Sequence, residues 1–272
     1  MDIQFKLSNG QILRGIIKSP GENLRAGIIL VHGIGEHIQR YSHWIERFNE
    51  KGFGFVGVDL PGHGKSDGKR GTLNSYSLTD EMLDFLLSEH KKTFPSIPVF
   101  IYGHSLGGNI VLQYLLQKKP EVNGAVVTSP ALRLAFQPAK TKLLLARIMK
   151  NLVPSLIQSS GLIAGHLSHD QKIIDAYIAD PLVHDKISVG LFQSMMSAAD
   201  YSLSHAGDLK VPVLLMHGAD DLIISPQGSR DFASKTKMVE LKIWDGGYHE
   251  LHNEIFKDDV FSYIVNWIGK HL

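Results

Sequence analysis

The chain of 272 residues carries 28 Lys and Arg against 27 Asp and Glu, and 43% of its residues are hydrophobic. A net charge of +1 sets up no field for nucleic acid, and the apolar content suffices for a sizeable core. The absence of cysteine excludes disulfides and thiolate metal sites, and no apolar run reaches the length of a membrane span.

Met1 to Leu7 alternates polar and apolar residues as an opening strand does, and lacks the basic start and apolar centre of a signal peptide. A soluble, cytoplasmic protein is therefore expected. Alternating segments at 2–8 and 11–17, joined by Ser8-Asn9-Gly10, predict a hairpin. Short apolar strands follow at Ala26–His32, Gly54–Asp59, Val99–Gly103, Gly124–Ser129, Val211–His217 and Val239–Trp244. Continuous rather than alternating apolar runs predict strands covered on both faces, as in a parallel sheet with helices on each side. Helical patterns lie near 39–51, 74–94, 107–119, 227–237 and 257–271.

The rhythm breaks between Pro130 and about Asp208, a gap too long for a simple connection. It predicts an inserted helical cap over 130–208, with 1–129 and 209–272 forming the core. Within it, Leu144, Leu145, Ile148, Met149, Leu152 and Val153 recur at helical spacing over Lys140–Ile157, with Lys142, Arg147 and Lys150 between them. Such a helix packs on the domain beneath, or touches a lipid surface while lining an acyl pocket.

Gly103-His104-Ser105-Leu106-Gly107 follows the apolar run Val99-Phe100-Ile101-Tyr102 and precedes an apolar helical stretch. This is the G-x-S-x-G form of a nucleophile elbow, in which small flanking residues let strand and helix approach around a strained serine. A serine hydroxyl needs a base to take its proton and an acid to orient that base. Both partners are expected at strand ends later in the chain, acid first. Asp221, three residues after Gly218, is taken as the acid over neighbouring Asp220; His249, after Gly246-Gly247, is taken as the base, with His252 as its rival. The loop His32-Gly33-Ile34-Gly35-Glu36-His37 follows strand Gly27–Val31 and can supply an oxyanion donor. The backbone N–H groups of Ile34 and Leu106 are assigned that role.

His32 and His104 read as residues that orient loops. The turn Asp59-Leu60-Pro61-Gly62-His63-Gly64-Lys65-Ser66-Asp67-Gly68 reads as the floor near the oxyanion loop, not as a phosphate site. His32, Glu36 and His37 form the one tempting metal cluster, discounted as loop structure. No cofactor and no metal are expected.

Taken together, these strings resemble the α/β-hydrolase family, and within it the monoacylglycerol lipase and lysophospholipase group. The matching residues are His32-Gly33-Ile34-Gly35-Glu36-His37 with Arg40-Tyr41, Asp59 to Gly68, Gly103 to Gly108, Ser129-Pro130, Asp180-Pro181-Leu182, Gly218 to Asp221 and Tyr248 to Glu254. The resemblance implies an eight-stranded, mostly parallel sheet with a helical cap. It implies hydrolysis of a fatty-acid ester of a small polar alcohol without a cofactor. It also implies that Glu36, Arg40, Tyr177 and His252 line the polar end of the pocket, although Glu36 and Arg40 also fit a surface ion pair. The cap matches least well, so a short-acyl carboxylesterase, a thioesterase, a C–C bond hydrolase or an idle ligand-binding protein on the same scaffold stay as alternatives. The small-molecule lipid ester is the expected partner, with transient contact between the cap and a membrane surface. The oligomeric state is left open.

Overall fold

Ala26–Val31 (β3) is buried at every residue, and its side chains alternate between two separate cores: Ile29 and Val31 face one, Ala26, Ile28 and Leu30 the other. A strand covered on both sides needs apolar residues at every position, which explains the unbroken run. The same holds for Phe53–Val58 (β4), Gly124–Thr128 (β6) and Val213–Gly218 (β9), and for Val99–His104 (β5) apart from half-buried Val99. The computed structural model describes residues 1–21, 23–73, 75–136 and 153–272.

With Asp2–Lys6 (β1), Ile12–Lys18 (β2) and Val239–Trp244 (β10), these strands form one eight-stranded sheet in the order β1-β2-β4-β3-β5-β6-β9-β10. The pairs from β4 to β10 are parallel, while β1–β2 and β2–β4 are antiparallel. In the hairpin Lys6 pairs with Ile12, and Gly10 takes φ +88°, a conformation that a side chain would oppose. β10 differs from expectation. As an edge strand it is only half-buried, which its alternating Glu240 and Lys242 accommodate.

One face of the sheet is covered by Ser42–Glu50 (α1) and Lys257–Gly269 (α7), through Trp44, Phe48, Phe261 and Trp267. The other is covered by Ser77–Thr93 (α2), Leu106–Lys118 (α3) and Pro226–Ala233 (α6). Helix α6 ends four residues short of its expected limit.

Between β6 and β9 the described chain forms the two-stranded pair Ile157–Ser159 (β7) and Lys186–Ser188 (β8), helix Gln171–Ala179 (α4) and helix Val189–His205 (α5). Leu191, Met195, Ala199 and Leu203 of α5 join the core cluster that holds α3, so the end of this segment packs into the main body. The helix expected over Lys140–Ile157 falls mostly outside the described residues. Its last residue, Ile157, opens strand β7 instead, because it pairs with Ser188.

Candidate active site

Ser105 sits between β5 and α3 with φ 54° and ψ −115°. A side chain held there costs about 1–3 kcal/mol and persists because its surroundings leave no alternative. A Cβ at Gly103 would stand 2.8 Å from both Gly107 O and Val111 Cγ2, and one at Gly107 would strike the Val31 carbonyl. The two flanking glycines are thus required by the closeness of strand and helix. The turn delivers Ser105 Oγ to 2.9 Å from His249 Nε2.

His249 follows β10, and Asp221 follows β9. Asp221 Oδ2 lies 2.7 Å from His249 Nδ1. A carboxylate only accepts, so Nδ1 carries the ring proton and Nε2 is free to accept from the serine hydroxyl. Burial alone would depress the His249 ring, but the Asp221 carboxylate outweighs it and raises its pKa above the ordinary histidine value. Burial likewise opposes the Asp221 charge, yet His249 and hydrogen bonds from both neighbouring imidazoles hold it well below the usual carboxylate range. Asp220 is exposed and makes no hydrogen bond to the His249 ring. Of the adjacent aspartates only Asp221 reaches the ring.

Sequence reasoning missed His217. Fully buried at the end of β9, its Nε2 lies 3.1 Å from Asp221 Oδ2 and 3.0 Å from Ile224 O. Both are acceptors, so Nε2 holds the proton, and Nδ1 accepts from Ser229 Oγ at 2.7 Å. Asp221 Oδ1 accepts the N–H groups of Ile223 and Ile224 at 2.8 and 2.9 Å. The carboxylate is therefore held by four donors. The signal available was a histidine four residues before the acid.

The loop after β3 brings Ile34 beside the serine. Ile34, Leu106 and Ser105 line one cavity, and no acceptor among the described residues takes the N–H of Ile34 or Leu106. His32 orients this loop: Leu60 N–H donates to Nε2 at 2.9 Å, and Nδ1–H donates to Gly33 O at 2.8 Å. Burial pushes its pKa down to about 3, so both bonds persist with the neutral ring. Its nitrogens are occupied, which leaves none for a metal. Asp59 braces the same region, accepting from Ile38 N–H at 2.8 Å and Lys65 N–H at 2.7 Å. His104 Nδ1 meets Thr128 Oγ1 at 3.0 Å, and burial keeps its ring neutral.

The cavity holds about 910 Å³. Leu134, Phe136, Leu156, Leu162, Ile163, Ile187, Val189, Phe192, Met195, Leu222 and Ile223 make a long apolar wall. Glu36, Arg40, Tyr177 and Glu250 make a polar end. Arg40 donates to Glu36 Oε2 at 2.7 Å and bidentately to Glu250 at 2.7 and 2.8 Å, beneath the Tyr177 ring. This is a buried network, with Glu36 and Glu250 side chains 3% and 2% exposed, and not a surface ion pair. His252 departs from expectation. The turn Leu251–Asn253 directs it inward to stack on Tyr41, with ring centroids 4.7 Å apart, and it does not line the cavity. Among the described residues, no group of three or more His, Cys, Asp or Glu could hold a metal.

A hydrogen-bonded Ser, His and Asp at the ends of β5, β10 and β9, with the serine on a strand–turn–helix elbow, define an α/β hydrolase. The chain belongs to the family described as serine aminopeptidase, S33 (Hydrolase_4), whose pattern matches residues 22–255. It is 32% identical to a monoacylglycerol lipase of Mycolicibacterium smegmatis over 257 residues, 93% of this chain and 91% of that protein. It is 36% identical over 252 residues to an uncharacterized abhydrolase domain-containing protein of Dictyostelium discoideum, covering 91% of this chain but only 26% of that longer protein. The crystal structure of a Paleococcus ferrophilus monoacylglycerol lipase superposes with a TM-score of 0.87 at 33% identity, over 96% of this chain and 99% of that one. No helix among the described residues is long and apolar enough to cross a membrane.

Proposed function

We propose that this protein hydrolyses monoacylglycerols, releasing a fatty acid and glycerol through an acyl-enzyme on Ser105. The observation that carries the reading is that hydrogen-bonded Ser105 and His249 line one cavity of about 910 Å³ together with an apolar wall and a polar cluster. That volume lies near the top of the range of about 300–1,000 Å³ usual for ligand sites, which suits a long acyl chain.

Ser105 Oγ attacks the ester carbonyl while His249 Nε2 takes its proton, and Asp221 stabilises the imidazolium that forms. The unpaired N–H groups of Ile34 and Leu106 receive the developing oxyanion. His249 then returns its proton to the leaving alcohol, which lies toward Glu36, Arg40 and Tyr177. Water, activated by the same base, attacks the acyl-enzyme and frees the acid.

The cap in this reading is the segment 130–208. Phe136, Leu156 and Ile163 from it, with Leu222 opposite, line the cavity and are each about half exposed, which supports an apolar mouth that meets a lipid surface. The test is fatty-acid release from monoacylglycerols and lysophospholipids from C4 to C18 beside short nitrophenyl esters. Preference for medium or long monoacylglycerols is expected; activity confined to short esters would make the protein a general esterase.

A further inference from the structure

Arg40 is the one arginine or lysine among the described residues lining the cavity, yet it is committed to other groups. Nη1 donates to Glu36 Oε2 and Glu250 Oε1, Nη2 donates to Glu250 Oε2, and Tyr177 lies 4.7 Å over its guanidinium. Glu250 takes both forks of the guanidinium and Glu36 a further N–H, so the positive charge of Arg40 is already neutralised and the polar end keeps none free for an anion. Glu250 cannot swing clear of Arg40, because Asn253 Nδ2 donates to its Oε2 at 2.6 Å. The rings of His104 and His252 nearby are neutral by burial, and so bring no free positive charge.

We infer that Glu250 makes this end of the cavity a charge filter, which admits neutral polyol head groups and turns away anionic ones; the inference rests on the ester-hydrolase reading above. A carboxylate offers about four lone-pair directions. Glu250 uses three, on Nη1, Nη2 and Asn253, and Glu36 uses three, on Gly33 N–H, Tyr41 O–H and Arg40. Each retains room for one further donor, and two neighbouring hydroxyls supply two. A phosphate at the same place supplies only acceptors. It meets like charge where water is scarce, and Arg40 reaches it only by abandoning a bidentate pair.

Three decanoyl esters that differ only in their alcohol test this: glycerol, glycerol phosphate and choline, used below their micellar concentrations so that surface charge plays no part. Like-charge juxtaposition costs several kcal/mol, so kcat/KM for the phosphate ester is expected at least about 10-fold below that for the glycerol ester. In Glu250→Gln the ratio of phosphate to glycerol ester rises about 10-fold while the ratio of choline to glycerol ester falls. A merely structural role for Glu250 lowers all three rates together and leaves the ratios alone, which would overturn the inference. Should the variant fail to fold, the wild-type comparison decides, since equal rates on the neutral and anionic esters overturn it as well. Hydrolysis of none of the three by the wild-type protein would instead overturn the ester-hydrolase reading, and this inference with it.

Discussion

His217 Nε2 approaches the same oxygen of Asp221, Oδ2, that accepts the ring proton of His249, at 3.1 Å against 2.7 Å. One carboxylate oxygen thus faces two imidazoles, and only one of them touches the serine. His217 fixes where that oxygen points and shares its charge.

Replacing His217 separates its donor from its bulk. His217→Leu removes a hydrogen bond to a buried charge, worth about 1.5–3 kcal/mol, and kcat/KM is expected to fall about 10- to 100-fold. The acid limb of its pH profile should move upward, because a less stabilised Asp221 charge binds the His249 proton more firmly. His217→Gln can present an N–H at the place of Nε2 and should recover most of the activity. Equal losses in the two variants, with no movement of the limb, would reduce His217 to packing.

The pH dependence of wild-type activity follows from the same pair. His249 must be neutral to take the serine proton, and Asp221 raises its pKa. Activity on neutral esters should therefore rise with pH through a midpoint at or above about 6.5, the ordinary histidine value. Asp221 is held below the usual range and stays ionised throughout. A kcat/KM profile with its acid midpoint well below the ordinary value would contradict this geometry.

Stability should fall on mild acidification. His32, His63, His104 and His252 are buried with pKa values pushed down by burial, to about 3 for His32 and His252. Below about 6.5 the unfolded chain binds protons that the folded chain refuses, so each such group removes up to about 1.4 kcal/mol per pH unit. His249, raised by Asp221, and Glu36, Asp59 and Asp80, raised by burial, work in the opposite direction. His43, His90 and His184, also lowered by burial, add to the decline, so near the ordinary histidine value seven lowered imidazoles stand against one raised one. Thermal unfolding followed from pH 7 downward should show the decline starting near the ordinary histidine value. A melting temperature that stays level until the carboxylate range would contradict it.

Contact with lipid is checked by flotation with neutral liposomes at low salt. Burying one large apolar side chain is worth about 1.5–3 kcal/mol, and Phe136 and Ile163 are about half exposed. Phe136→Ser with Ile163→Ser should therefore weaken binding about tenfold. Absence of binding by the wild-type chain would remove the apolar mouth from the account.

Much of this was legible from the sequence, for reasons that differ by element. The elbow shows because two glycines are sterically required around Ser105, and the inner strands show because both their faces are buried. Asp221 and His249 could be placed because both follow strands that end in glycine turns. Side-chain direction was not legible. Nothing in the spacing says that the turn Leu251–Asn253 sends His252 inward against Tyr41, or that Glu250 crosses 210 positions of sequence to grip Arg40. His217 was hidden for a related reason: a histidine in a strand end is recognisable as a partner only once the carboxylate folds back over it.

The most direct test is the steady-state rate of oleate release from monooleoylglycerol by the wild-type protein and by Ser105→Ala, with the fold of each confirmed by circular dichroism. The wild-type protein should turn the substrate over, and the variant should lose at least ~10³-fold in rate while remaining folded. A folded Ser105→Ala variant with near wild-type turnover would contradict the serine as nucleophile and the mechanism built upon it.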